Sequence, residues 1–233
     1  MESLKNDTGY DVCNIAVVIL CAGKGTRMGN RNKLLMEIEG VPLYERIWRE
    51  LFKVDSILPS HIKITQKILV TAYDEIAENA ESHKGYKLSV IRNDDQDQGQ
   101  SHSIKLGLEQ VDKDVDGVMF CPSDQPFVTR DILCQLMDYF ADSNKIIVPS
   151  YNGKNTSPCI FPRRFIGNFM NLSGDIGGRD VYVDHLHLDE VKMIEYNKEN
   201  FYSTDDYDYD VNPFIDIDTI EDYETALKIK KRK

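Results

Sequence analysis

The chain of 233 residues is 41% hydrophobic and 29% charged, proportions that fit one sizeable α/β domain and exclude wholesale disorder. Its 28 basic and 39 acidic side chains leave a formal net charge of −11 at pH 7, which argues against sequence-independent binding to nucleic acid or to an anionic membrane surface. An anionic small substrate is compatible with this balance, given a local cationic pocket or a divalent metal between carboxylates and phosphates.

Residues 1–14 read as an N-terminal extension, polar and acidic rather than like a signal peptide. The rest, 15–231, is expected to form a single domain, with a nucleotide-binding part at about 15–125 and an acceptor-substrate part at about 126–231. No apolar run approaches the ~18 residues of a membrane span. The cysteines, Cys13, Cys21, Cys121, Cys134 and Cys159, are odd in number and form no CxxC pair. Reduced thiols and a cytoplasmic location are therefore expected.

Residues 15–20 predict a buried strand, and 43–52 place Leu43, Ile47 and Leu51 at a helical spacing of four. Then follow a strand at 67–72, a helix at 74–82 with Asp74 as N-cap, a strand at 87–92 and a helix at 100–109. A strand at 117–121, a helix at 129–140 capped by Thr129 and a strand at 145–149 continue the alternation. This order predicts a doubly wound α/β fold, with a mostly parallel central sheet flanked by helices. Ligands in such sheets bind outside the carboxyl ends of the strands, so chemistry is expected just after Leu20, Arg92, Cys121 and Pro149.

Beyond Tyr151 the pattern loosens into a small antiparallel extension. It comprises a strand at 158–161, an α segment at 163–171, a glycine turn leading to a short helix within 173–185 and an antiparallel edge strand at 191–195. An exposed acidic, tyrosine-rich loop spans 198–212, and a helix at 219–230 closes the chain, with Thr219 and Asp222 as a capping box. Residues 54–66 read as an insertion.

Five stretches can carry chemistry. In LCAGKGTRMGNRNKLL, residues 20–35, glycines after a strand let backbone N–H groups approach an anion, and Lys24, Arg27 and Lys33 add positive charge. The spacing is neither that of a P-loop nor that of the dinucleotide fingerprint. An ordinary glycine-rich turn with solvated cations is the alternative. In SDQP, Asp124 follows a buried strand and suits Mg²⁺ bound by one or two carboxylates plus substrate phosphates, unless it only stabilises a turn. In DIDT, Asp216 and Asp218 face one way if the segment is extended, and Asp218 becomes a metal ligand only in partnership with Asp124. Asn93, Gly99, Ser101 and Ser103 lie at a strand-to-helix junction suited to a ribose, base edge or phosphate, or to simple helix capping. In LSGDIGGR, Asp175 and Arg179 can grip an acidic second substrate or pair within a turn. The five histidines form no HxxxH or HExxH, and no Gly-x-Ser-x-Gly occurs.

Together these residues resemble the Rossmann-like nucleotidyltransferases, most closely the molybdenum cofactor cytidylyltransferase (MocA-like) family. Residues 20–35 follow its pattern L-A-A-G-x-G-x-R-M-G-x-x-N-K-L-L except at Cys21. DQP, LSGDIGGR, SPCIF and DIDT resemble its later segments, although Thr156-Ser157-Pro158 stands where the family often has G-H-P. The resemblance implies that CMP passes from CTP to the terminal phosphate of molybdenum-molybdopterin, with release of pyrophosphate. A molybdenum hydroxylase would be the recipient of the product. It implies Arg27, Lys33 and Asp124 as catalytic residues, and Mg²⁺ held by Asp124 and Asp218. Nucleotide contacts would come from Leu20, Cys21, Ala22, Gly23, Lys24, Gly25, Asn93, Gly99 and Ser101. Acceptor contacts would come from Gln125, Ser157, Pro158, Gly174, Asp175 and Arg179. Ala22 and Asn32 are the residues that favour CTP over GTP by this resemblance. A related enzyme using GTP or another phosphate acceptor, and a non-catalytic cofactor-binding chaperone, are the alternatives.

Overall fold

In the computed structural model, which describes residues 12–23, 32–197 and 212–229, the first apolar run becomes β1 (Cys13–Cys21). Strand geometry sends alternate side chains to opposite faces. Ile15, Val17, Ile19 and Cys21 accordingly join one core cluster, while Ala16 and Val18 join another. A strand apolar on both faces must be covered on both.

A two-stranded ribbon, β2 (Glu37–Ile38) and β3 (Val41–Pro42), leads into α1 (Leu43–Val54). The apolar stripe of α1, with Tyr44, Ile47, Trp48 and Leu51, packs into the first cluster. Next come β4 (Ile62–Thr71), α2 (Asp74–Ser82), β5 (Leu88–Arg92), α3 (Gln100–Leu108), β6 (Gly117–Pro122) and α4 (Arg130–Ser143). Helices α2 and α4 cover the face that α1 covers, and α3 covers the opposite one. The chain continues through β7 (Ile146–Tyr151), β8 (Lys154–Asn155), β9 (Cys159–Pro162), α5 (Ile166–Phe169), α6 (Gly178–Val183), β10 (Val191–Tyr196) and α7 (Ile220–Lys228).

The main sheet runs β10-β7-β9-β6-β1-β4-β5, with β8 pairing to β7. All pairings are parallel except those of β9 with β6 and β7 and of β8 with β7. The chain leaves β1 toward β4 and β5, then returns to place β6 on the other side of β1. The strand order reverses there, so a crevice opens between the carboxyl ends of β1 and β6.

Three expectations change. The proposed insertion at 54–66 is in part sheet: β4 begins at Ile62, and Cys13, Asn14 and Ile15 pair with Ile62, Lys63 and Ile64. Ile62 and Ile64 alternate with polar residues in the pattern of a strand covered on one face. The last strand, β10, lies at an edge but runs parallel to β7, because the α5–α6 crossover carries the chain back before it re-enters the sheet. Asp74 is not the cap of α2. Tyr73 holds that position without a side-chain cap, and Asp74 is the first helical residue, ion-paired to Arg92. The loop at 198–212 lies outside the described residues, apart from Asn212. No helix among the described residues is long and apolar enough to cross a membrane.

At α7 the capping box forms as the sequence predicts. The Asp222 N–H donates to Thr219 Oγ1 at 3.1 Å, and the Thr219 N–H donates to Asp222 Oδ2 at 2.7 Å. Thr219→Ala is expected to cost about 1 kcal/mol, read as a lowered urea midpoint. An unchanged midpoint would mean that the cap adds nothing to stability.

Candidate functional site

Two strand ends and one irregular segment assemble the site. Beyond β1 the chain passes through Ala22 and Gly23, whose carbonyl accepts the Tyr73 hydroxyl at 2.7 Å. Beyond β6, the Ser123 N–H donates to the Leu20 carbonyl at 3.1 Å, so Asp124 emerges beside the end of β1. The third piece is anchored by Ile217, fully buried with Ile38, Leu43 and Phe127. Its N–H donates to the Asp124 carbonyl at 3.0 Å, which holds Asp216 and Asp218 against the Asp124 loop.

Lys33 enters from a single 3₁₀ turn, Lys33–Leu35, capped by Asn32 Oδ1, which accepts the Leu34 N–H at 3.1 Å. The turn directs Lys33 inward, where only 6% of it is exposed. Its Nζ donates to Asp124 Oδ2 at 2.8 Å and to Asp218 Oδ1 at 2.7 Å. Burial alone would lower the pKa of Lys33. Asp124 and then Asp218 more than reverse this, and the net shift is upward. Asp216 accepts the Gln125 amide Nε2–H at 2.9 Å. Although Asp216 opens onto a cavity, the surrounding protein withdraws it from bulk water. That withdrawal, followed by the charge of Asp124, pushes it up to about 6.

Two adjoining cavities flank this charge cluster. The larger, about 610 Å³, is bounded by Ala22, Gly23, Lys33, Gly99, Asp124, Asp175 and Asp218. Its size is within the usual range of small-molecule sites. The smaller, about 240 Å³, is bounded by Gln125, Thr156, Ser157, Arg179, Tyr182 and Asp216, with Phe120 and Phe161 as apolar walls. Leu20, Gln100 and Pro122 border both. Arg179 is exposed at the smaller cavity.

The structure thus brings together Leu20, Ala22, Gly23, Lys33, Gly99, Asp124, Asp175 and Asp218 on one side, and Gln125, Ser157 and Arg179 on the other. Other expected residues do not line either cavity. Cys21 is fully buried on the face that Ile19 shares. Asn93 is 1% exposed and turned inward, its Nδ2 donating to Ser103 Oγ at 2.8 Å and its Oδ1 accepting the Asp95 N–H at 3.0 Å. Ser101 is buried, and its N–H donates to the Gly174 carbonyl at 3.1 Å. Gly174 braces the α3 terminus, and Pro158 also lies off the cavity walls. Lys24, Gly25 and Arg27 fall outside the described residues. Asn32 caps the turn and does not border the larger cavity. Gln100, Thr156, Tyr182 and Asp216 are further wall residues beyond the expected contacts. Of these, Asp216 carries a signal in its two-residue spacing from Asp218, and Thr156 in its place where the family often has G-H-P.

Asp124 and Asp218 present carboxylate oxygens to one ammonium, so they converge on a single cationic position. Hard oxygen donors of this kind suit Mg²⁺ or a similar hard divalent ion. Among the described residues no group of three or more His, Cys, Asp or Glu side chains is arranged to hold a metal. An ion at this pair would therefore complete its shell with substrate oxygens and water.

Comparison with known proteins agrees with this architecture. A family model described as a MobA-like NTP transferase domain matches residues 17–191. A protein of Methanosarcina mazei named probable molybdenum cofactor guanylyltransferase is 21% identical over 221 residues, covering 94% of this chain and 92% of its own. The 2-C-methyl-D-erythritol 4-phosphate cytidylyltransferase of Alkaliphilus metalliredigens is 26% identical over 138 residues, 58% of this chain and 54% of its own. Among solved structures, Rv0371c of Mycobacterium tuberculosis H37Rv superposes with a TM-score of 0.70 at 20% identity, covering 92% of this chain and 98% of its own. The same protein has been solved in complex with manganese, with a TM-score of 0.67, 20% identity and the same coverage.

Proposed function

Because the chain belongs to the family of MobA-like NTP transferase domains and is a nucleotidyltransferase, we propose that it transfers CMP from CTP to the terminal phosphate of molybdenum-molybdopterin. The acceptor's phosphate oxygen attacks the α-phosphorus, a new P–O–P bond forms, and the bond to the β-phosphate breaks, releasing pyrophosphate. The observation that carries this reading is the convergence of Lys33, Asp124 and Asp218 on the wall of the larger cavity, with Gln125 and Asp216 next to them in sequence on the wall of the adjoining one. One cavity has room for a nucleotide, and the other for the reacting end of an acceptor.

No protein nucleophile is needed, so the residues act by positioning and charge neutralisation. Gly23, Lys24, Gly25 and Arg27 would hold the β- and γ-phosphates. Lys33 would meet the charge that develops around the α-phosphate. Asp124 and Asp218 would hold Mg²⁺, which when bound neutralises phosphate oxygens. The manganese complex of the Mycobacterium tuberculosis protein supports a divalent ion in this fold. Leu20, Ala22 and Gly99 would border the nucleotide, while Gln125, Ser157 and Arg179 would border the acceptor. Asp175 would act from the larger cavity, where it also accepts the Gln100 N–H at 3.3 Å.

CTP is preferred because Ala22 stands in the cleft wall where the guanylyltransferases usually carry glycine. GTP is the second reading, favoured by the name of the Methanosarcina mazei relative; Asn32, expected to favour CTP, caps a turn and borders neither cavity, so it adds nothing to the choice of base. Cytoplasmic action follows from the proposed substrates. Turnover of CTP, GTP and ATP with purified molybdenum cofactor, followed by pyrophosphate release, tests the reading. CTP is expected to give the highest kcat/KM. A higher value for GTP reverses the base assignment, and no release with any nucleotide overturns the acceptor.

A further inference from the structure

The ammonium of Lys33 occupies the position on which Asp124 and Asp218 converge. Its two bonds, 2.8 and 2.7 Å, use one oxygen of each carboxylate. These are the two carboxylates that would hold a divalent ion under the proposed function, on which this inference rests. A metal ion arriving alone must displace Lys33 from both. That would leave a buried ammonium, 6% exposed, without its counter-charges. Stripping a buried ammonium of its partners in this way is unfavourable, even though the two carboxylates are themselves partly exposed. A further carboxylate of the cluster, Asp216, is engaged by the Gln125 amide, and no third anion is within hydrogen-bond distance of Lys33 among the described residues.

A triphosphate changes the exchange. Its oxygens supply the anion that Lys33 would lose, and Lys33 can turn from carboxylate to phosphate while remaining paired. Lys33 then no longer stands between the carboxylates and the metal. At no point in this exchange is a buried charge left bare.

We infer that Lys33 couples the two ligands: it excludes a divalent ion from Asp124 and Asp218 until a triphosphate anion draws it away. Linkage makes the coupling reciprocal, so the metal in turn favours the nucleotide-bound position of Lys33. Lys33 is thereby a positioning residue for the metal as well as a phosphate contact. A lysine serves this exchange because its long, flexible stem carries a compact point charge.

The test is Mn²⁺ binding to the nucleotide-free protein, measured by electron paramagnetic resonance of the free ion. Lys33→Met, which keeps the length and removes the charge, is expected to bind Mn²⁺ at least about tenfold more tightly than the wild type, within the usual range of coupling. Lys33→Arg keeps a cation between the carboxylates and is expected to stay near the wild-type affinity. Equal affinity in Lys33→Met and wild type overturns the inference, as does tight binding by Lys33→Arg. If Lys33→Met does not fold, side-chain NMR of wild-type lysines decides. Mg²⁺ alone is expected to leave the Lys33 signals in place, and inorganic tripolyphosphate is expected to move them. Movement of Lys33 by Mg²⁺ alone overturns it equally. None of these readouts requires turnover, so they stand or fall separately from the substrate panel.

Discussion

Asp124→Asn is expected to lower kcat at least about a hundredfold, the usual consequence of losing one transition-state charge contact, near 3 kcal/mol. The substitution keeps the size of the side chain and removes its charge. One oxygen of the amide can still accept the Lys33 bond now measured at 2.8 Å, and Asp218 retains its own contact at 2.7 Å. The Asp124 backbone, which accepts the Ile217 N–H at 3.0 Å, is untouched. The fold should therefore survive, and circular dichroism should melt within a few degrees of the wild type. The kinetic loss should persist at saturating CTP and be only partly relieved by raising Mg²⁺, because the missing charge belongs to the ion's own site. Asp218→Asn should have a similar effect, and the double variant should lose far less than the product of the two, since both act through one cationic position. Wild-type kcat in Asp124→Asn would remove the metal role from this pair. Multiplicative losses would show that the carboxylates act independently.

Much of the framework behind that expectation is legible from residue pattern. Strand β1 from Ile15 onward and strand β6 are uninterrupted apolar runs, and their endings are marked by glycines in one case and by prolines around an aspartate in the other. The order of elements then places those endings side by side. The distinction between residues that face the site and residues that support it is less legible. Family motifs transfer positions and not side-chain directions. Cys21 shows the difference: Ile15, Val17, Ile19 and Cys21 share a face of β1, and that face is sealed by helices α1 and α4. Strand parity, applied to the motif, sends Cys21 into the core and Leu20 toward the cavities. Asn93 shows a related ambiguity. An Asn after a strand can meet a ligand or fasten its own loop, and only the proximity of Ser103 and the Asp95 N–H reveals the second use. The direction of β10 depends on a crossover built from two short helices, whose pattern is too brief to fix a path. Lys33 is visible in the sequence as a cation, but its double carboxylate partnership joins residues 91 and 185 positions away. No local pattern carries that information.

Gly99→Ala should cost more than its single added methyl group suggests. Gly99 adopts φ +79°, and a Cβ there would lie 2.4 Å from the Gly174 carbonyl carbon, 2.6 Å from its oxygen and 2.8 Å from the Asp175 nitrogen. All three obstacles are backbone atoms, so no side-chain rotation relieves them. The loop carrying Gly174 and Asp175 must retreat from the start of α3. Retreat weakens the bond from the Ser101 N–H to the Gly174 carbonyl, 3.1 Å, and that from the Gln100 N–H to Asp175 Oδ1, 3.3 Å. Gly153→Ala separates the two contributions, because Gly153 has a similar φ of +76° with nothing within 4 Å of its Cβ position. That variant should lose only the backbone strain, of order 1–3 kcal/mol, and keep wild-type kinetics. Gly99→Ala should lose at least as much, since its ψ of −173° puts it in a region essentially confined to glycine, plus about 1 kcal/mol or more for its weakened hydrogen bonds. It should also raise the KM for nucleotide about tenfold or more, since Gly99 and Asp175 both border the larger cavity and a displacement near 1 Å can cost a site a hundredfold. Urea denaturation and nucleotide saturation curves on both variants give the comparison. If Gly99→Ala proves no worse than Gly153→Ala on either measure, the close approach of these two loops does not shape the nucleotide site, and Gly99 serves only the turn.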